Sequence, residues 1–128
     1  AALNTVEPPL GDWSMATLFE ADKPWSAPRK PAIRERIDER LGELSARLGD
    51  DEWLEGRFCV GDLTMIAVLQ LVSGELADLL ERYPNLAAYR ARGEARPAYR
   101  RALEDQMAGF TGAPPAEWAA AQQEEEIA

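Results

Sequence analysis

An all-α bundle of about five helices is the fold class that this sequence predicts. Apolar residues recur at intervals of three and four along most of the chain, and no segment alternates apolar and polar residues as a strand would. Proline and glycine clusters divide this pattern into segments of helical length with short connections. Each such segment must bury its apolar stripe against its neighbours, which is the logic of a helix bundle.

Length and charge limit the classes of function. The 128 residues make one ordinary domain, and the net charge of −9 leaves no basic stripe for nucleic acid or an anionic membrane surface. A single cysteine excludes an internal disulfide and suits a reducing compartment. No apolar run approaches the ~20 residues that span a bilayer. We therefore expect a cytoplasmic protein that binds neither nucleic acid nor membrane.

Histidine is missing from the sequence altogether. This removes His-based metal sites, Ser-His and Cys-His nucleophiles and the histidine general base, so we expect no metal site and little catalytic chemistry within this chain. One concentration of positive charge alternates with Glu94, Glu104 and Asp105, which favours a solvated, self-paired surface over an anion site. It consists of Arg90, Arg92, Arg96, Arg100 and Arg101.

The first predicted helix covers residues 1–19. Pro8 and Pro9 each lack a backbone donor and are expected to kink or restart it. The proline-rich stretch 22–31 is typical of a connecting loop, which Trp25 is expected to pin to the body of the domain.

The clearest amphipathic helix is predicted over residues 31–48. On its charged face, Arg34 with Asp38 and Glu43 with Arg47 are spaced as i,i+4 pairs. Its apolar stripe comprises Ile33, Ile37, Leu41, Leu44 and Leu48.

A central helix is predicted from residue 60 to 72, bending at Ser73-Gly74 and continuing to residue 82. It is apolar on nearly every side, which predicts a position in the middle of the core. Two more helices follow, at about 85–95 and 97–107, and the second is expected to turn Tyr99, Leu103 and Met107 inward. The helical domain is thus predicted over residues 1–112, with 113–128 as an acidic tail or terminal helix.

The start of the central helix carries the most specific pattern. Asp62 stands three positions after Cys59, where its carboxylate can accept a hydrogen bond from the Cys59 N–H, as in a capping box. Phe58 and Leu63 are placed to form a hydrophobic staple across the same turn. We interpret Asp62 as a structural cap. We interpret Cys59 as a small apolar residue at the cap rather than as a reactive thiol.

Three phrases together resemble the C-terminal helical domain of cytosolic, bacterial-type glutathione S-transferases. They are Phe58-Cys59-Val60-Gly61-Asp62, Tyr83-Pro84-Asn85-Leu86-Ala87-Ala88-Tyr89 and Ala95-Arg96-Pro97-Ala98-Tyr99. In that family a Ser/Thr-x-x-Asp box opens the central helix, so Cys59 is a departure. The resemblance is dense over residues 33–107 and extends to the opening helix, where Leu3-Asn4-Thr5-Val6-Glu7-Pro8-Pro9 is similar to the bacterial members.

The resemblance implies a role in detoxification by a cytoplasmic, homodimeric transferase that uses glutathione as co-substrate. In that family an N-terminal thioredoxin-like domain binds glutathione and activates its thiolate, and this chain shows no counterpart of that domain. The chain would then be a substrate-binding and dimer-contributing domain, inactive alone. Its opening helices would face a hydrophobic electrophile, which makes Asn4, Glu7 and Trp13 the candidate substrate-binding residues.

Two alternatives stay open. The helical domain can serve as a stand-alone protein-interaction module of the same fold, as similar domains of some translation-associated proteins do. It can also belong to a glutathione-dependent isomerase or dehalogenase on the same scaffold.

Overall fold

A computed structural model describes residues 1–112. In that range the regular structure consists of helices joined by turns and loops, with no strand, which confirms the predicted all-α class. The chain falls into two compact units, one of residues Ala1–Arg96 and one that begins at Pro97. The predicted tail, residues 113–128, lies outside the described residues.

The first helix is continuous through its prolines but changes its winding twice. A π-helical turn, Ala2–Val6, leads into α1, Glu7–Ser14, and a second π-helical turn, Met15–Phe19, follows. The N–H of Glu7 bonds five residues back to the Ala2 carbonyl, so the wide turn ends just before Pro8 and Pro9. The prolines then occupy the first turn of α1, where a missing donor costs least.

Helix α2 runs over Ser26–Leu48 and is longer than predicted. The proline-rich stretch is loop only up to Trp25, because Pro28 falls in the first turn, where N–H groups have no helical partner anyway. Pro31 lies inside the helix and gives up one backbone bond. The Ser26 hydroxyl donates to the Ala16 carbonyl at 2.6 Å, which fixes the start of α2 to the second π-helical turn. Trp25 is half exposed, and its indole N–H reaches only Glu20 in its own loop.

The predicted apolar stripe of α2 is confirmed, since Ile33, Ile37, Leu41, Leu44 and Leu48 are all buried. The predicted i,i+4 ion pairs are wrong. Arg34 instead pairs with Asp78, and Asp38 pairs with Arg82, so both side chains of the first predicted pair bind α4 and the residue that follows it. A partner on a packed neighbouring helix is held in place by tertiary contacts, and here it outcompetes a partner on the same helix.

The end of α2 is closed by a side chain from a later helix. Gly49 leaves the helix with a φ of 57°, which other residues rarely adopt. The Asn85 side-chain amide donates to the carbonyls of Ser45 and Gly49, both at 3.0 Å. Its oxygen accepts from the Ser45 hydroxyl at 2.7 Å. The last turn of α2 is therefore satisfied by α5.

The predicted bend in the central segment is confirmed and is sharp. Helix α3, Val60–Leu69, ends before a 3-10 turn at Gly74–Leu76, and α4, Ala77–Glu81, follows. The axis turns by 106° between the two arms. Within residues 1–112 no single helix is long and apolar enough to cross a bilayer, and only this bent pair reaches the required length and composition.

Two proline-started helices complete the described chain. Helix α5, Pro84–Glu94, packs against α2, α3 and α4. Helix α6, Pro97–Ala108, belongs to the second unit. Leu103 and Met107 of α6 are 42% and 57% exposed, so their predicted inward orientation is wrong.

Helices α3 and α5 approach most closely at one glycine. Gly93 is buried, and a Cβ placed on it would overlap the side chain of Ile66, which is also buried. The Ile66 methyl groups thus occupy the space that any other residue at position 93 would need.

We expect Gly93→Ala to destabilise the protein by about 1–3 kcal/mol, because the added methyl group overpacks the contact with Ile66. This opposes the helix propensity of alanine, which alone would stabilise by up to about 1 kcal/mol. Chemical denaturation measures the effect. Gly11→Ala is the matched control, since nothing lies within 4 Å of its Cβ position. A Gly93→Ala protein as stable as Gly11→Ala would contradict the close packing.

Candidate functional site

Asp62 is a fully buried carboxylate, with 0% of its surface exposed. Its Oδ2 accepts the Cys59 N–H at 2.9 Å, so the predicted cap of α3 is present. Its Oδ1 accepts the Leu54 N–H at 3.0 Å and the Tyr89 hydroxyl at 2.9 Å. The carboxylate therefore joins the start of α3, the loop before it and α5.

Burial of Asp62 alone would raise its pKa, because charge is costly in an apolar interior. The hydrogen bonds from Leu54, Cys59 and Tyr89 outweigh burial, and the pKa of Asp62 lies below its ordinary value. Burial and the adjacent Asp62 carboxylate both raise the pKa of Tyr89, whose hydroxyl therefore stays protonated as a donor. The pair is a structural clamp, in agreement with the predicted role of Asp62.

Cys59 occupies the N-cap position of α3 with extended backbone geometry. Its sulfur faces the Asp62 N–H, which completes the form of a capping box, although a thiol is a weak acceptor. The thiol is a free cysteine and half-buried. The Asp62 carboxylate thus makes the stronger half of the box.

The predicted staple residues have different surroundings. The Phe58 ring lies edge-on to Trp53, with centroids 5.0 Å apart, and the Arg96 guanidinium lies over its face. Leu63 is 45% exposed. The staple between Phe58 and Leu63 stays a prediction, while the contact between Phe58 and Trp53 is one that the sequence did not indicate.

The predicted substrate-binding residues do not form one row on the opening helix. Asn4 is exposed in the first π-helical turn, and Glu7 is half-buried at the start of α1. Trp13 follows Glu7 by six residues, which places their side chains about 120° apart around the helix. The Nζ of Lys30 lies 5.2 Å from the centre of the Trp13 ring, so that ring faces α2.

The second π-helical turn presents a group of apolar side chains to the surface. Met15, Leu18 and Phe19 are 45%, 59% and 67% exposed. The hydroxyl oxygen of Thr17, in the same turn, is buried and has no hydrogen-bond partner within the described chain. An orphaned buried hydroxyl is uncommon, and π-helical turns are frequent at functional sites. This turn is a better candidate for a ligand-facing wall than the three residues predicted from sequence.

Helix α3 carries a second exposed apolar group, which we call the outer row. It contains Val60, Leu63 and Ala67, spaced by three and four so that they share one side of the helix axis, together with Leu71 in the turn that follows the helix. Val60 is 76% exposed and Leu71 is 47% exposed. The predicted position of α3 in the middle of the core is therefore only half right: Met65, Ile66 and Leu69 are buried, and the outer row is not.

The arginine cluster is less self-paired than predicted. Arg90 bonds Glu94 at 2.8 Å and also reaches the carbonyl of Val72 beyond the end of α3. The remaining four arginines of the cluster have no carboxylate within ion-pair distance in residues 1–112. Within the same range no group of acidic and cysteine side chains is arranged to hold a metal ion.

We expect Asp62→Ala to cost at least about 3 kcal/mol of stability, because it leaves three donors without an acceptor in a dry site. Tyr89→Phe removes one of those bonds and keeps the ring, so about 1–2 kcal/mol is expected. The double variant should cost less than the sum of the two single variants, since both act on the same hydrogen bond. If denaturant unfolding showed that the stability losses of the two single variants add fully in the double variant, the shared hydrogen bond of the clamp would be contradicted.

The lowered pKa of Asp62 makes stability depend on pH. A carboxyl whose folded pKa lies below its unfolded value of about 3.9 stabilises the fold fully above that value and loses this contribution as pH falls through the folded pKa. The stability difference between wild type and Asp62→Asn should therefore shrink from about pH 5 downward. Asp51→Asn, at an exposed position, is the control. A stability difference between wild type and Asp62→Asn that stays constant down to pH 2 would contradict a lowered pKa for Asp62.

No family model matches this chain, and no curated protein matches it significantly. The likeness to glutathione transferases accordingly depends on the sequence phrases described above. The Asp62 cap gives one of those phrases a physical role in the fold.

Proposed function

We propose that this chain is the substrate-binding and dimer-contributing domain of a glutathione transferase. In the reaction, the glutathione sulfur attacks an electrophilic carbon, a C–S bond forms and the leaving group departs with its electron pair. A thioredoxin-like domain would bind glutathione and stabilise the thiolate. This chain would hold and orient the electrophile. The observation that carries the proposal is the Asp62 cap at the start of a helix that packs against α5.

The outer row of α3 supports the proposal that a second domain packs against this one. Large exposed apolar groups are uncommon on monomeric domains unless another surface covers them. The first π-helical turn contacts α3, and its Leu3 is 58% exposed, which adds to the apolar surface that a partner domain would bury.

The second π-helical turn supports binding of a hydrophobic electrophile. Small-molecule sites combine apolar walls with a few polar groups that fix orientation. Met15, Leu18 and Phe19 supply the apolar wall, and the unpartnered Thr17 hydroxyl supplies a polar group. The exposed Asn4 amide can donate to a carbonyl or carboxylate of glutathione.

A protein-interaction module of the same fold is the second candidate, and the outer row favours it as well. An exposed apolar row on a helix fits a docked protein surface as readily as a second domain of the same chain. The two candidates differ in whether glutathione is bound.

The deciding measurement is the intact mass of the product of the native gene, followed by its affinity for glutathione. A mass above 14.2 kDa by roughly one further domain of about 100 residues, together with glutathione binding, supports the transferase. A mass of 14.2 kDa and no glutathione binding would overturn it in favour of the interaction module.

In the intact enzyme, we expect Phe19→Ala to raise KM for the electrophile about tenfold and to leave KM for glutathione unchanged. The reason is that a large apolar side chain is lost only from the electrophile wall. Trp25→Ala is the control, because this half-exposed ring lies in the loop after the turn. If both variants changed the KM for the electrophile and the KM for glutathione equally, the assignment of the apolar wall would be contradicted.

A further inference from the structure

The cations of the first unit divide into two groups. Nine of the 14 lysines and arginines form ion pairs with carboxylates, and all nine lie in residues 1–96. Three arginines of that unit have no carboxylate partner among the residues described: Arg57, Arg92 and Arg96. In a chain with 23 acidic residues, unpaired cations are not explained by a shortage of carboxylates.

Two of these arginines, Arg92 and Arg96, lie against one pair of aromatic rings. The Arg96 guanidinium carbon is 3.6 Å from the centre of the Phe58 ring and 5.9 Å from that of Trp53. Arg92 lies 5.6 Å from the centre of the Trp53 ring. Two guanidinium groups without a carboxylate partner therefore lie beside the same ring, that of Trp53, and we call this pair of arginines the arginine platform.

The aromatic rings hold the guanidinium groups in place while leaving their N–H edges available. A guanidinium over an aromatic face is attracted by the ring and keeps its donors in its own plane. Arg92 is further fixed by one hydrogen bond, at 2.7 Å, to the Glu52 carbonyl. No acceptor contacts the Arg96 guanidinium within residues 1–112.

Two guanidinium groups held against aromatic rings carry the two positive charges that balance a phosphate dianion. Arginine binds phosphate through paired, charge-assisted hydrogen bonds, and side chains that are already ordered lose little entropy on binding. We propose that Arg92 and Arg96 form a binding site for a phosphate group, either the free ion or a phosphomonoester. This site is independent of the transferase assignment.

The test is a titration of the ¹⁵N-labelled chain with inorganic phosphate and, separately, with methyl phosphate, at constant ionic strength and pH 7.5. We expect saturable shifts of the Arg92 and Arg96 Nε–Hε signals and of the Trp53 indole signal. Whichever probe binds more tightly identifies the source of the group. Shifts that rise linearly without saturation, or that sodium chloride reproduces, would overturn the proposal.

Single-residue variants distinguish a specific phosphate site from a nonspecific effect of positive charge. Arg96→Gln should weaken phosphate binding about tenfold, the effect of losing one charge-assisted contact. Arg36→Gln is the charge-matched control, because Arg36 pairs with Asp12 at the surface, and it should change binding less than about twofold. Equal losses in the two variants would overturn the site.

Arg96→Lys covers the case in which Arg96→Gln does not fold. It keeps the charge and loses the planar fork, so a loss close to tenfold is expected here too. Binding as tight as that of wild type in a folded Arg96→Lys protein would contradict a role for the stacked guanidinium.

Discussion

The fold depends on one buried negative charge. An ionised carboxylate in an apolar interior is tolerated only when donors surround it, and Asp62 has three, from Leu54, Cys59 and Tyr89. Each donor belongs to a different segment, so the charge ties the loop before α3, the start of α3 and the middle of α5 to one point. The Trp53 ring lies edge-on to Tyr89 at 5.9 Å and closes the same site. Removing the charge would release all of these segments together.

Local patterns predicted the parts of the fold that local physics determines. The stripe of α2 and the cap at Asp62 follow from residue spacing alone, and both are present. Helix α2 begins earlier than the sequence predicts, because a proline cluster resembles a loop although prolines in a first helical turn break few hydrogen bonds. The partners of Arg34 and Asp38 are each 44 residues away along the chain, and sequence spacing carries no signal for such contacts.

The candidate sites were predicted less well than the fold. Asn4, Glu7 and Trp13 were selected by family likeness, whereas the π-helical turn that exposes Met15, Leu18 and Phe19 has no signature in the residue pattern. The arginine cluster is evident in the sequence, but the sequence does not show which of its arginines have carboxylate partners. Alternating Arg and Glu residues indicate self-pairing only if the helix brings them together. Here Arg92 and Arg96 instead turn toward the rings of Trp53 and Phe58.

The contact between Gly93 and Ile66 has a consequence for how this sequence can change over time. The two positions share one volume, since the side chain at 66 fills the space above the backbone at 93. A larger residue at 93 is compatible with the same helix spacing only if the residue at 66 becomes smaller. Among relatives of this chain, the two positions should therefore vary together, with alanine at 93 accompanied by valine or alanine at 66.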